Sequence, residues 1–395
     1  MNQYLQSARE MMPKLAEDRR RIHQMGGVGF DLRQSADYIL DELEKAGIEG
    51  REICPCGIVA TIGQGGKTIL LRADFDALPL EEATGLPFAN QSGSCHACGH
   101  DFHAAMLLAA ARMLKARERE LRGTVKLMFQ PSEETLEGSM AMIKAGLLEN
   151  PKVDAAFAIH VGAGSPASET GTVRYSRGAT YSAGDKLVVT VRGRGGHGAT
   201  PSKNIDPVTA AAQIIVAIQH IISMEVPTSE RVTVTFGVIQ GGTADNIIPD
   251  EVVFKGTIRT FSREMREFVK RRVQEIAELT GKAMRADVEV AYNPVSVPPV
   301  VNDAAMAEKM FPYLEEITGP GRTALLNEPT SFGSEDFAHV TERVPGVMIN
   351  LGAGTPDKGY DKAMHNPAVL LDEGALPYGA AILANCAERW LEDNQ

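Results

Sequence analysis

The stretch Thr68-Ile-Leu-Leu-Arg-Ala73 decides the fold class of this chain, because it is a short, largely aliphatic run of the kind found in buried strands. Three more apolar runs of similar length occur at residues 124–129, 155–160 and 346–351. Segments with helical periodicity surround them, and the first of these predicts one helix over Gln3–His23. Strands that alternate with helices predict an α/β fold, a layered domain with a largely parallel central sheet.

A different pattern begins near residue 184 and predicts a second domain. Residues 186–192 alternate as a strand does, and they are followed by a helix, two strands, a helix and a last strand at 286–291. This β-α-β-β-α-β order is the signature of a ferredoxin-like α+β domain. We therefore predict that residues 184–293 form an inserted domain, between the two parts, 1–183 and 294–395, of a discontinuous one.

Composition and charge exclude several classes of function. The chain has 395 residues with 40 Lys and Arg against 51 Asp and Glu, which gives a formal charge of −11. Because clustered cations are needed to neutralise phosphates, we expect no binding to nucleic acid or to anionic membranes. The longest apolar stretches fall short of the ~20 residues that cross a bilayer. Five cysteines in a chain of this length are not a disulfide framework, which favours a reducing, cytoplasmic location.

The densest group of chemically active side chains is the stretch Cys95-His-Ala-Cys-Gly-His-Asp-Phe-His103, at the start of an Ala-rich helix. Thiolate and imidazole groups within one turn favour zinc or a neighbouring first-row metal. The Cys-x-x-Cys pair alone is also compatible with a redox pair or with half of a zinc ribbon, although the sequence has no second such pair. Buried structural cysteines and helix-capping histidines are the alternative explanation for this stretch.

Side chains that follow the predicted strands are further candidates. Glu133 and Glu134 come after the second run, where one could bind a metal and the other could accept a proton from water. His160 ends the third run, His365 lies in a polar turn, and Asp74 follows the first strand, where it could orient a ligand imidazole. Each of these residues alone also fits an ordinary structural role. Together, thiolate, imidazole and carboxylate groups from several elements predict a site for two metal ions and a hydrolytic reaction.

One glycine-rich motif does not predict a dinucleotide site. Gly193-Arg-Gly-Gly-His-Gly198 has the G-x-G-x-x-G spacing after a strand, but the next helix begins only near Asp206. No helix N-terminus is therefore available for a pyrophosphate. The histidine between these glycines, His197, is better suited to approach a substrate or another subunit closely.

A set of short motifs follows one another in order along the chain: Arg72-Ala-Asp-Phe-Asp-Ala-Leu-Pro79, His96-Ala-Cys-Gly-His-Asp101, Gln130-Pro-Ser-Glu-Glu134, Gly195-Gly-His197, Asn246-Ile-Ile-Pro249, Gly256-Thr-Ile-Arg259, Gly333-Ser-Glu-Asp-Phe337 and His365-Asn-Pro367. In content and order these motifs resemble those of the dinuclear-metal amidohydrolases and peptidases related to aminoacylase. Within that family they are most similar to the subgroup of hippurate hydrolase, N-acyl-L-amino-acid amidohydrolase and the indole-acetyl-amino-acid hydrolases.

The resemblance implies a catalytic domain made of the two ends of the chain, with the insert as a lid and dimerisation domain. It implies two divalent ions per subunit, zinc, manganese, cobalt or nickel. The implied metal ligands are Cys98, His100, Glu134, His160 and His365, with Cys98 bridging the two ions. Arg72 stands where the wider family has a metal-binding histidine, and His100 takes that place, as it does in the subgroup.

The resemblance also implies roles for residues that do not bind metal. Glu133 resembles the general base that takes a proton from water. His197 is similar to the residue that, in dimeric relatives, reaches the partner's active site and stabilises the oxyanion. Asn246 and Arg259 resemble substrate-positioning residues, and the guanidinium of Arg259 suits a carboxylate.

These implications predict hydrolysis of the amide bond of N-acyl-amino acids, with N-acetyl, N-benzoyl or aryl-acyl groups, to a carboxylic acid and a free amino acid. The expected partners are this small-molecule substrate and a second copy of the chain, bound through residues 184–293. One alternative is a dipeptidase or another C–N hydrolase on the same dinuclear site. The other is a non-catalytic binding module with a structural metal. Structural zinc sites are closed four-ligand sets, so five candidate ligands and an additional Glu argue against the module.

Overall fold

The computed structural model describes residues 2–395, which divide into two compact units. The first unit contains the residues up to Thr180 together with Val301–Thr330 and Asp336–Gln395, and the second contains Tyr181–Val300 and Ser331–Glu335. The sequence predicts boundaries at 184 and 293. It does not indicate that the short segment 331–335 groups with the second unit.

The strands are β1 (Gly50–Cys54), β2 (Gly57–Gly63), β3 (Lys67–Asp74), β4 (Gly123–Gln130), β5 (Ala155–Gly162), β6 (Val173–Ser176), β7 (Ala179–Tyr181), β8 (Asp185–Arg192), β9 (Gly196–His197), β10 (Thr233–Gln240), β11 (Ile247–Ile248), β12 (Glu251–Arg259), β13 (Asp287–Tyr292), β14 (Val300–Val301), β15 (Thr323–Leu326) and β16 (Gly346–Gly352). The helices are α1 (Gln3–Glu10), α2 (Met12–Met25), α3 (Arg33–Lys45), α4 (His100–Ala116), α5 (Gly138–Lys144), α6 (Pro207–His220), α7 (Arg263–Ala283), α8 (Ala304–Thr318), α9 (Ala338–Thr341) and α10 (Leu376–Asp393).

The first unit is built on an eight-stranded sheet of order β1-β2-β4-β3-β5-β16-β6-β15. Its four central strands, β4, β3, β5 and β16, run parallel, and they are the four apolar runs of the sequence. Antiparallel pairs occur towards the edges, between β1 and β2, β2 and β4, and β16 and β6. The predicted α/β fold with a largely parallel central sheet is therefore confirmed.

The first predicted helix is wrong in one respect, because two helices occupy its range. α1 ends at Glu10 and α2 begins at Met12, with Pro13 in the first turn of α2. A proline has no N–H to continue the hydrogen bonds of a preceding helix, but it is well tolerated in a first turn. The break therefore falls where Pro13 requires it.

The second unit has the predicted β-α-β-β-α-β order. Its four-stranded sheet, β10-β12-β8-β13, is antiparallel throughout. Helices α6 and α7 pack against each other and on this sheet, and they bury a separate apolar core that includes Ile214, Phe254 and Val273.

One helical segment does not agree with the expectation that the apolar stretches of the chain are too short to cross a bilayer. The segment Pro207–Glu225 is long and apolar enough to cross a membrane by length and composition alone. Part of this apolar character has an internal explanation, because Ala210, Ala211, Ile214 and Ile218 are buried in the core of the second unit. Its other face exposes Val216, with 68% of its surface accessible, and Met224, with 72%.

Candidate metal centre

The predicted site residues of the first unit come together at the carboxyl ends of its parallel strands, the edge at which ligands bind in open α/β sheets. Asp74 ends β3, Glu133 and Glu134 follow β4, and His160 lies near the end of β5. Their neighbours on the strands are almost completely buried, so the backbone that carries them is fixed by the core.

The turn before α4 brings the cysteine and histidine of the densest motif to the same edge. Gly99 precedes the helix with φ of 80°, and a Cβ at this position would lie 2.4 Å from a methyl carbon of Val161. Only glycine tolerates both the left-handed backbone and this close approach. Cys98 and His100, on either side of Gly99, are thereby placed next to β5.

Cys98 lies between two histidines that are far from it in sequence. Its Sγ is 3.5 Å from Nε2 of His160 and 3.2 Å from Nε2 of His365. The backbone N–H of His365 donates to the carbonyl of Ala97, and this bond holds the loop of His365 beside the motif. Burial raises the pKa of the Cys98 thiol and lowers the pKa of His160 to about 3.

Two groups of three side chains share the Cys98 sulfur. Cys98, His100 and His160 offer ligand atoms within 4.8 Å of one another, and so do Cys98, Glu134 and His365. The five predicted ligands are thus brought together by the fold, in two sets that have the thiol in common. Glu133 forms a third group with His100 and Glu134.

His100 is oriented by Asp76. Its Nδ1 lies 3.0 Å from the backbone carbonyl of Asp76, and since a carbonyl oxygen only accepts, Nδ1 carries the proton. The lone pair of Nε2 is then available to a cation. The carboxylate of Asp76 also accepts the backbone N–H of Glu134, at 3.0 Å, so one residue positions two predicted ligands.

The donor set fits a divalent cation. Nε2 of His100 and Oε1 of Glu134 are both buried and meet no hydrogen-bond partner within residues 2–395. Burying polar atoms without partners is costly, and a cation would compensate both. A thiol, three imidazoles and a carboxylate are ligands that zinc and its neighbours prefer.

Asp74 differs from its expected role. Its Oδ1 is 2.5 Å from Nδ1 of His103 and its Oδ2 is 2.7 Å from the guanidinium of Arg72, whereas Nε2 of His100 lies 3.6 Å from Oδ2, beyond hydrogen-bond distance. Burial opposes ionisation of Asp74, but Arg72, His100 and His103 together outweigh it and hold the pKa of that carboxyl well below its usual range. The direct orientation of a predicted ligand imidazole comes from Asp76 instead.

The buried guanidinium of Arg72 connects three elements. It pairs with Asp74 at the end of β3, donates to the side-chain oxygen of Gln130 at the end of β4, at 2.9 Å, and approaches Asp336 at 3.4 Å. Asp336 in turn accepts from Gln130, at 2.6 Å, and from the backbone N–H of Ser139, at 2.9 Å. Arg72 is therefore a structural cation at the position where the wider family has a histidine ligand.

In the nine-residue motif Cys95–His103, Cys98 and His100 point to the candidate metal centre. Cys95, His96 and His103 have other environments. Cys95 lies in a small apolar cluster with Ala97 and Val369. His96 is fully buried, burial lowers its pKa to about 3, and its ring lies 5.7 Å from that of His23. His103 uses both ring nitrogens for hydrogen bonds inside the protein.

The other predicted residues belong to the second unit. His197 is exposed, and its Nδ1 accepts the backbone N–H of Ala199 at 3.0 Å, so Nε2 carries the proton and can donate. β9 pairs with β11, and the backbone carbonyl of Asn246 accepts the N–H of Gly198 at 2.9 Å. The guanidinium of Arg259 donates to the hydroxyl of Ser334.

Sequence reasoning assigned no role to Asp336 or Ser334, although both lie in the motif Gly333–Phe337. No spacing rule relates them to Arg72 or Arg259, which lie at least 75 positions away in the chain. Membership of an ordered motif was the one signal that could have marked them. Their partners follow only from the packing within each unit.

Comparisons with known proteins agree with this geometry. Residues 70–389 match the model of peptidase family M20/M25/M40. The N-acetyl-L-cysteine deacetylase of Bacillus subtilis is 35% identical over 381 residues, 95% of this chain and 88% of the relative. The IAA-amino acid hydrolase ILR1-like 2 of Arabidopsis thaliana is 34% identical, over 97% of this chain and 87% of the relative. The structure of the Bacillus subtilis YXEP protein, a dinuclear metal binding peptidase of family M20, is 31% identical and superposes with a TM-score of 0.83, covering 97% and 99% of the two chains.

An α/β fold with thiol, imidazole and carboxylate side chains gathered at its strand ends is typical of a metal-dependent hydrolase. The chain belongs to peptidase family M20/M25/M40. The family resemblance and the enzyme class predicted from the sequence, a metal-dependent amidohydrolase, are confirmed.

Replacing Arg72 by Met should destabilise the first unit strongly. The change leaves the buried carboxylates of Asp74 and Asp336 without their shared cation, and breaking a buried ion pair costs about 3–5 kcal/mol. The matched control is Arg174→Met on β6, where the side chain is exposed and the cost should stay within about 0.5 kcal/mol. Urea unfolding followed by circular dichroism measures both, and equal losses would contradict the role of Arg72.

Proposed function

We propose that the protein hydrolyses the amide bond of N-acyl-amino acids and releases a carboxylic acid and a free amino acid. The observation that carries this proposal is the pair of ligand groups that share Cys98, with Glu133 beside them. Relatives named as a deacetylase of N-acetyl-L-cysteine and as a hydrolase of IAA-amino acids support the substrate class. We infer that the preferred acyl group is small or aromatic, as in N-acetyl, N-benzoyl and aryl-acyl substrates.

In this proposal the two groups around Cys98 each hold one divalent cation, zinc, manganese, cobalt or nickel. One group is Cys98, His100 and His160, and the other is Cys98, Glu134 and His365. Such cations supply Lewis-acid polarisation of a carbonyl and make water more acidic.

Glu133 is the proposed general base. Its side chain is buried and belongs to the group formed with His100 and Glu134, so it lies beside the predicted ligands. A carboxylate in this position can accept a proton from the attacking water and give it to the leaving amine. Glu134 carries the ligand role in this proposal, because its Oε1 lies 3.6 Å from His365 in the group that contains Cys98.

Arg259 is the proposed contact for the carboxylate of the substrate. Its guanidinium donates to the Ser334 hydroxyl, and among the described residues it has no ion-pair partner. Burial lowers the pKa of Arg259, and the one carboxylate that opposes this change, Asp185, is already paired with Arg266. A half-buried cation without a counter-ion favours an anionic ligand. Asn246 is proposed to position the substrate beside it.

The second unit is the proposed lid and dimerisation domain. It exposes Val208 and Val216 on α6, and Val238 and Ile239 on β10, with 40% to 68% of each surface accessible. β10 is an edge strand of the four-stranded sheet. Exposed apolar side chains beside an unpaired strand edge mark an interaction surface, and a second copy of the chain would cover it.

In such a dimer, His197 is proposed to act on the active site of the other subunit. Its protonated Nε2 could donate to the oxyanion, a contribution of the order of 10²–10³ in rate. We keep the cytoplasm as the proposed location, because all five cysteines are free and Cys98 must stay reduced to bind metal.

The protein loaded with zinc, manganese, cobalt or nickel should release the amino acid from N-acetyl- and N-benzoyl-amino acids. Glu133→Gln should keep the full metal content and lower turnover by about 10²–10⁴, because it removes only the proton acceptor. Glu134→Gln should lose metal. Elemental analysis together with amino-acid release measures these effects.

Comparing the Glu133→Gln and Glu134→Gln variants distinguishes the general base from the metal ligand. The reverse pattern, metal lost in Glu133→Gln and retained in Glu134→Gln, would exchange their roles. Turnover of dipeptides without turnover of N-acyl-amino acids would instead favour a dipeptidase, and one tightly held metal without any turnover would favour a binding module.

Replacing Arg259 by Met should remove selectivity for the substrate carboxylate. A charge-assisted hydrogen bond contributes about 1.5–3 kcal/mol, so kcat/KM for an N-acyl-amino acid should fall about 10–100-fold. The corresponding C-terminal amide lacks the charge and should be affected much less. Arg263→Met, at an exposed position at the start of α7, is the control. Equal losses for acid and amide would contradict the assignment.

A charge on the exposed face of α6 should separate the proposed dimer. Val216→Glu places a carboxylate within the apolar surface, whereas Leu279→Glu, at a position with 66% of its surface exposed on α7, is the matched control. Light scattering should give the mass of a monomer for the first variant and of a dimer for the second. If the Val216→Glu monomer retains full turnover, the role of His197 across the dimer is wrong.

A further inference from the structure

His103 lies inside the metal-binding motif but has a different environment from the predicted ligands. Its side chain is 1% exposed, on the first turn of α4. Its ring centroid lies 5.4 Å from that of His100 and 4.9 Å from that of His160. A histidine placed between two predicted ligands could itself bind metal or could hold those ligands in place.

The hydrogen bonds of His103 decide between these two roles. The backbone N–H of Val161 points at Nε2 of His103, at 2.9 Å, and since an N–H can only donate, Nε2 is the acceptor. The proton of the neutral ring is therefore on Nδ1, which donates to Oδ1 of Asp74 at 2.5 Å. Both nitrogens are occupied, and no lone pair is left for a cation.

Asp74 is fixed independently of His103. Its other oxygen pairs with the guanidinium of Arg72 at 2.7 Å, and neither side chain is exposed. The carboxylate therefore keeps Nδ1 of His103 protonated and the ring in one orientation.

The other end of His103 acts on the strand that carries His160. Val161 directly follows His160 in β5, and its N–H is the group that His103 accepts. The carbonyl of Val161 accepts from Nδ1 of His160 at 2.6 Å, which leaves Nε2 of His160 directed at Cys98. Both hydrogen bonds of the Val161 backbone therefore define where His160 points.

We propose that His103 is a positioning residue for one of the two metal subsites. It accepts the N–H of Val161 and thereby sets the His160 imidazole against Cys98 and His100, with Asp74 and Arg72 holding its tautomer. The subsite of Cys98, Glu134 and His365 does not depend on this chain of contacts. The inference rests on the proposed dinuclear centre and assigns a role to a residue outside its ligand set.

Three variants separate the hydrogen bonds from packing. In His103→Gln the amide oxygen can replace Nε2 as acceptor for Val161, in His103→Asn the amide N–H can replace Nδ1 as donor to Asp74, and in His103→Phe both are lost while the ring volume is retained. His96→Phe is the matched control, because His96 is an equally buried neighbour whose two ring nitrogens have no hydrogen-bond partner in the described chain.

The experiment measures binding of Zn²⁺ to the metal-free full-length protein by chelator competition, together with the spectrum of bound Co²⁺. The wild type should bind two ions. His103→Asn and His103→Phe should bind one ion as the wild type does and the other about 10–100-fold more weakly, the usual effect of losing a residue that orients a ligand. His103→Gln and His96→Phe should remain close to the wild type for both ions.

Other outcomes would overturn the inference. Wild-type affinity for both ions in His103→Phe would make His103 a packing residue. Weak binding in His103→Gln with normal binding in His103→Asn would assign its effect to Asp74 rather than to Val161. Melting temperatures of the metal-free variants show whether each one is folded. If the wild type itself binds fewer than two ions, the proposed dinuclear centre fails, which is a result distinct from all of these.

Discussion

The fully buried guanidinium of Arg72 is the constraint on which the rest of the candidate site depends. A buried cation is tolerated only when its charge is compensated and its donors are satisfied. Asp74, Gln130 and Asp336 meet that condition, and they come from the ends of two neighbouring strands and from the segment before α9. Satisfying this one side chain therefore fixes the ends of β3 and β4, the strands that lead to Asp76 and to Glu133 and Glu134, relative to the segment of Asp336.

Other buried polar side chains of the site are also satisfied by partners from more than one element, and some of these partners are backbone N–H groups. Asp76 connects His100 to the N–H of Glu134, and His103 connects Asp74 to the N–H of Val161. Each carboxylate or ring thus fixes both a side chain and a neighbouring strand end. Two of the buried atoms that have no hydrogen-bond partner among residues 2–395, Nε2 of His100 and Oε1 of Glu134, are atoms that the proposed cations would use.

Much of the fold was predictable because burial leaves a pattern in the sequence. The four parallel strands are continuous apolar runs, since helices and neighbouring strands leave no polar face, and the inserted unit shows alternation because its sheet is covered on one side by α6 and α7. The last two strands at one side of this sheet, β6 and the edge strand β15, are short and mixed in character, and the sequence did not mark them. Pro13 is a local signal for the break between α1 and α2. The sequence interpretation missed this break because the helical periodicity continues on both sides of Pro13.

For the site, the sequence by itself determined which kinds of side chain were available and, through an ordered set of motifs, the family to which the chain belongs. It could not distinguish the three histidines of the motif, because spacing along a helix does not say which ring nitrogen is already hydrogen-bonded. Only the tertiary structure decided that His100 keeps a free nitrogen, that His103 is occupied at both ends and that Asp76 rather than Asp74 holds His100. The physical reason is that these contacts join residues from different strands, and their geometry is set by the packing of the whole sheet.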